Sequence, residues 1–134
     1  MGLLSGKRPT DLGVRGGRLK PAPSSPNAVS SQATTPYHAI APIKYRSDRE
    51  AAMAALVDVV KSMPRVEIVT RATDYLYAEF STALLGFVDD VEFYLPEDEK
   101  IIHVRSASRL GHSDFGVNHT RVEEIRARLS ARGA

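Results

Sequence analysis

From residue 66 to residue 110 the chain changes sides at almost every position, and this two-residue period constrains the fold more than any other feature. Val66, Ile68 and Thr70 alternate with Glu67, Val69 and Arg71, and Leu76, Ala78 and Phe80 alternate with Tyr75, Tyr77 and Glu79. Val91, Phe93 and Leu95 then alternate with Asp90, Glu92 and Tyr94, and residues 101–110 carry the pattern on. Successive side chains of an extended strand point to opposite faces, so each segment has one face to bury and one to show. The connections are short: Thr73-Asp74 lies between the first two segments and PEDEK, 96–100, before the last. Strands joined so closely pair antiparallel, because a parallel return needs a crossover of a dozen or more residues.

Two flanking segments change period. In SDREAAMAALVDVVKSMP (47–64), Ala52, Met53, Leu56, Val60 and Met63 recur at helical spacing. Ser47 and Glu50 stand at capping-box spacing and Pro64 closes the run. The two methionines read as core filler rather than as cofactor ligands. Val122, Ile125 and Leu129 mark a last amphipathic helix, opened by Asn118, or by Thr120 with Glu123 as a second capping box. HAIAPIKY (38–45) reads as a short first strand, at an edge where the missing N–H of Pro42 is harmless. The expected fold is α+β, in the order β-α-β-β-β-β-α: an antiparallel sheet of about five strands, two helices packed on one face, and the other face partly solvated.

With 134 residues the chain is long enough for one domain with one core. It has no cysteine, which excludes disulfides, thiolate catalysis and cysteine-ligated metal centres. No segment is apolar enough for a signal peptide or membrane insertion, so a cytoplasmic protein is expected. Gly6 stands where an N-terminal myristoylation motif needs Ser or Thr. The sequence pI near 9.0 suggests nucleic acid until the charges are located. Residues 1–36 hold five basic side chains against Asp11, whereas from residue 37 onward 13 basic residues face 15 acidic ones, a net −2. The basicity belongs to a tail, and no nucleic-acid partner is expected for the folded part. Residues 1–22, dense in Gly, Pro and Ser and lacking either hydrophobic period, are expected to form a flexible basic arm, loosely draped, whose removal barely alters stability. Residues 23–134 then form the domain.

Three ordered blocks, SPNAVSSQA, DYLYAEF followed by FVDDVEFYL, and IHVRSASRLGHSDFGVN before a helix, resemble the signature of the family known as domain of unknown function 1499. The resemblance covers roughly residues 20–130. It implies kinship and fold, but brings no reaction, substrate or cofactor. It also implies that residues 26–31 are ordered. The chain departs from the pattern at Ala28, where the family has cysteine, and at His112 and His119, where Tyr and Arg are expected.

Two sets of polar residues are candidates for a site. Matching faces across PEDEK pairs Leu95 with Ile102, Phe93 with Val104, Glu92 with Arg105 and Asp90 with Ala107, so that apolar meets apolar and acid meets base. Asp90, Glu92, Arg105 and Arg109 are thereby expected to form a partly exposed polar network, with Asp89 on the opposite face. Arg105 and Arg109 stand about 13 Å apart along a strand, too far to clamp one small anion. The second set is the loop GHSDFGVN, where Ser113, Asp114, Asn118 and Arg121 gather at a helix N-terminus that favours an anion. Asn118 and Asp114 can equally serve that helix themselves.

His103, His112, Asp114 and His119 match no metal-ligand spacing, so no metal and no cofactor are expected. Ser106 and Ser108 lack the turn that exposes a nucleophile and read as small core residues. The chain is expected to be a non-catalytic module that binds an unknown small ligand or a protein partner. The alternatives are an enzyme using the Asp90, Glu92, Arg105 and Arg109 face, or an assembly protein using an open sheet face.

Overall fold

The computed structural model describes residues 6–83 and 86–134. Among them lie β1 (Ala28–Ser30), β2 (Ile43–Lys44), α1 (Arg49–Ser62), β3 (Val66–Arg71), β4 (Tyr75–Ser81), β5 (Val88–Tyr94), β6 (Ile101–Ser108) and α2 (Val117–Ala131). The sheet runs β1-β6-β5-β4-β3, with β2 also on β6, and every strand pairing in it is antiparallel. The β5–β6 register is the one expected from the faces: Phe93 opposite Val104, Glu92 opposite Arg105, Asp90 opposite Ala107.

Both helices pack on one face. Leu56, Val59 and Val60 of α1 and Val122 and Ile125 of α2 meet Leu76, Ala78, Val91, Phe93, Ile102 and Val104 in a single buried cluster. These positions come from the two-residue and 3.6-residue periods, so the core was legible in the sequence.

The free edge of β6 departs from expectation. Of the segment 38–45 only Ile43–Lys44 forms a strand on β6, just after Pro42, which withholds a donor, while Ala39 makes an isolated parallel bridge to Ser30. The other half of that edge is taken by β1, where Ala28 pairs with Ala107 and Ser30 with Arg105. A three-residue strand has too few positions to show a period; β6 creates it by offering unpaired backbone groups. The opposite edge strand, β3, slips register between Ile68 and Thr70, a bulge of the kind that blunts edges.

Both helix starts use a different cap from the one expected. Asp48, not Ser47, caps α1, its Oδ1 accepting the Ala51 amide at 2.7 Å. At α2 neither Asn118 nor Thr120 caps. Asp114 lies three residues ahead of the helix, and its carboxylate accepts the amides of Gly116 and Asn118 at 2.9 and 3.1 Å. No described helix is long and apolar enough to cross a membrane.

If Asp48 is the cap, Asp48→Ala is expected to cost about 1 kcal/mol in urea unfolding while Ser47→Ala costs almost nothing. The reverse order would restore Ser47 as the cap.

Candidate functional site

The sheet face away from the helices carries a close-packed layer of charged and phenolic side chains. Pairing sets them in rows: Glu79 opposite Asp90 opposite Ala107, and Tyr77 opposite Glu92 opposite Arg105. Two carboxylates facing each other across neighbouring strands repel. Arg109 reconciles them, with Nη2 at 2.7 Å from Glu79 Oε2 and 2.6 Å from Asp90 Oδ1, and Nε on Asp90 Oδ2 at 3.1 Å. Tyr77 Oη donates to Asp90 and lies 3.3 Å from Glu79 Oε2, while Tyr75 Oη donates to Glu92 Oε2 at 2.6 Å. Arg105 has looser contacts: Nη1 is 3.9 Å from Glu92 Oε1, and Nη2 reaches the Pro21 carbonyl at 3.3 Å.

This layer is buried, where partial exposure was expected. Glu92 is 0% exposed, Asp90 2%, Glu79 4% and Arg105 4%. The cover is the segment 6–22, which composition alone presents as a loose arm. Arg8 reaches Glu79 bidentately, Nε to Oε2 at 2.7 Å and Nη2 to Oε1 at 2.9 Å, and the Gly13 amide donates to Glu92 Oε2 at 2.8 Å. Gly13 has φ of +113°, a conformation that a side chain would strain. A Cβ on Gly6 would come within 3.0 Å of Arg109 Cδ and Leu110 Cγ, so the strap passes against the aliphatic stem of that arginine. Farther along, Leu19 is buried, its amide donating to Gln32 Oε1 at 2.8 Å, and Lys20 pairs with Asp11 at 2.9 Å. Polar anchors, not an apolar stripe, hold the strap, which is why no hydrophobic period announced it. Residues 1–5 of the expected arm lie outside the described residues.

The electrostatics follow from this geometry. Hydrogen bonds from Arg8 first, then from Arg109, outweigh burial and hold the Glu79 carboxyl down at about 2. Burial, reinforced by Glu92, pushes the Tyr75 phenol well up, and burial with Asp90 does the same to Tyr77. Burial lowers Arg105, with Glu92 opposing. Hydrogen bonds to Asp90 and Glu79 raise Arg109. Three buried polar atoms, Glu92 Oε1, Arg105 Nε and Arg109 Nη1, have no hydrogen-bond partner among the described residues, and all three belong to this layer.

On the helix face, the second set of candidates also comes together. Asn118 is 0% exposed and is its hub. Its Oδ1 accepts from Ser106 Oγ at 2.6 Å and Arg121 Nη1 at 2.8 Å. Its Nδ2 donates to Asp114, Ser108 and the Asn27 carbonyl at 2.7, 2.9 and 3.1 Å. Arg121 continues to Asp89 at 2.6 Å and lies over the Phe80 ring at 4.9 Å. Although burial pushes the Asp114 carboxyl up, hydrogen bonds from Asn118 and Gly116 hold it below the usual carboxylate range. Asp114 is thus the anion at this helix start, and Ser113 Oγ accepts the Phe115 amide. Ser106 is the buried small residue expected, whereas Ser108 is half-buried, and the hydroxyls of both position Asn118.

Sequence reasoning brought Asp90, Glu92, Arg105 and Arg109 to one face. It missed Glu79, Tyr75, Tyr77, Arg8 and Gly13 as members of the same layer. Alternation had already put the first three on the face; the strap residues gave no signal. His103 Nδ1 is hydrogen-bonded to Ser31 Oγ at 3.0 Å, and no three His, Asp or Glu side chains among the described residues converge as metal ligands. Ala28 pairs with Ala107, which places the position of the family cysteine on the strap-covered face.

Residues 18–129 match the family described as Protein of unknown function (DUF1499). The chain belongs to this family. The DUF1499 match contains Glu79, Asp90, Glu92, Arg105 and Arg109, and also Leu19 and Pro21 of the strap, but begins after Arg8 and Gly13. No curated protein and no solved structure matches the chain.

Glu79 sets a pH window. Its carboxyl sits at about 2 instead of 4.5, so its stabilising contribution is complete above about 4.5 and is lost as pH falls toward 2. Urea midpoints of the wild type and Glu79→Gln are expected to differ at neutral pH and to converge across that window; a constant gap would show that Glu79 is not a clamped anion. Removing Arg109 leaves two buried carboxylates opposed, and Arg109→Ala is expected to cost about 3 to 5 kcal/mol. A loss below ~1 kcal/mol would mean that the pair is solvated.

Proposed function

We propose that the protein is a non-catalytic binding module and that the face built from Glu79, Asp90, Glu92, Arg105 and Arg109 is its recognition surface. The observation that carries this reading is the capture of Arg8 by Glu79. A charged group delivered from 71 residues away is held in a bidentate pair by a face that lies within the family match, while the group itself lies outside it. The face behaves as a receptor and the strap as its occupant.

The charges support recognition over catalysis. General acid–base chemistry works best with a group that titrates near the operating pH. Glu79 is displaced far below neutrality, and Tyr75 and Tyr77 above it. Asp90, which the enzyme alternative needs, is already bonded to Arg109 and Tyr77. Fixed charges of this kind complement a ligand and do not move protons. The assembly alternative would use this same face, and it differs from the reading favoured here in needing the sheet open, without the strap.

The reading is tested on protein purified from its own host. Native mass spectrometry is expected to find a retained ligand or partner, and amide exchange of that complex to show residues 6–20 deprotected while β4, β5 and β6 stay protected. A retained ligand that leaves the strap protected would place the binding surface elsewhere and reject this assignment.

A further inference from the structure

We propose that the strap-covered face takes an arginine-bearing segment of another polypeptide, in the position and bent conformation that residues 8–13 hold intramolecularly. The inference rests on the reading of this face as a recognition surface and names the class of its ligand.

The strap is a peptide seated on the face, and its contacts define what the face reads. Apart from the strap, the layer has three carboxylates, Glu79, Asp90 and Glu92, against two guanidinium groups, Arg105 and Arg109, leaving one negative charge. Arg8 supplies the missing positive charge. The side chain must be arginine, because Glu79 is gripped by Nε and Nη2 together in a planar fork that a lysine ammonium cannot reproduce. Five residues on, Glu92 reads a backbone amide at a glycine with positive φ, and Arg105 reads a backbone carbonyl, that of Pro21. One side-chain subsite combined with contacts to backbone groups can read a peptide segment without using most of its side chains. The recognition element is therefore an arginine followed five positions later by glycine.

The strap is also placed to be exchanged. Arg8 keeps 46% of its side chain in solvent while its partner Glu79 keeps 4%, so the anchor sits at the rim of the subsite where a competitor can enter. A tethered strap has a high effective concentration, and an incoming segment must match the same contacts or bind more tightly.

The test uses the full chain carrying Arg8→Glu, in which the strap meets Glu79 with a like charge, and as probe a synthetic peptide of residues 6–17. Amide exchange is expected to show residues 6–13 detached in this variant, and the peptide to bind it. Changing Arg8 of the peptide to alanine, with Arg15 kept, is expected to weaken binding at least tenfold, with lysine intermediate, and raising salt to weaken it further. If Arg8→Glu does not fold, the same peptides are titrated against the wild type, reading the deprotection of residues 6–13 as the strap is displaced.

Equal binding of the arginine and alanine peptides, or of neither, to a chain whose strap has detached would overturn the arginine-peptide class. A ligand retained from the host with the strap deprotected would still leave the recognition face standing. A strap that stays protected in Arg8→Glu would overturn both. Concentration-dependent dimers of the wild type that disappear in Arg8→Glu would identify the occupant as a second copy's strap and reject a separate partner.

Discussion

Arg109 is the contact on which the polar half of this protein depends. The antiparallel register of β4 and β5 sets Glu79 directly opposite Asp90, and burial denies both carboxylates the water that would screen them. One guanidinium, that of Arg109 just past the end of β6, touches both. It can do so because the β5–β6 register brings β6 alongside with its long cationic side chains on that face. A shift of one residue in either pairing would send these groups into the helix-side core, so the apolar and polar halves of the sheet enforce the same register from opposite sides.

From that arrangement the strap follows. A buried layer with more carboxylates than guanidinium groups attracts cations, and residues 6–22 bring one to the rim at Arg8 while Gly13 and Pro21 bring backbone groups to Glu92 and Arg105. The strap needs glycine where its backbone turns through positive φ, and it needs little apolar surface because its contacts are directional. The same directionality lets the site be read chemically: each anchor names the group that it accepts. A cover held by a hydrophobic stripe would have told us only that something apolar belongs there.

The helix face answers to a different hub. Asn118 joins the α2 start to β6 and to the segment leading into β1, and Arg121 ties the same helix to Asp89. Every donor and acceptor on the Asn118 side chain has a partner. This contrasts with the strap-covered layer, where three buried atoms have none. A fully satisfied buried cluster of this kind rigidifies the packing around it.

The sequence by itself determined the class, the antiparallel meander, the register of β5 on β6 and the two faces. All of these depend on local periods and on pairing across short connections, information carried by residues close together in the chain. It also set Asp90, Glu92, Arg105 and Arg109 on one side, because alternation alone decides sides. What it left open was decided by contacts between distant parts of the chain. β1 exists because β6 had an edge to offer; Asp114 serves the α2 start because its loop returns there; and the network is buried because residues 6–22 lie across it. Single ion pairs and lone backbone amides leave no period in a sequence, and only the tertiary structure shows that Arg8 and Glu79, 71 residues apart, are one interaction.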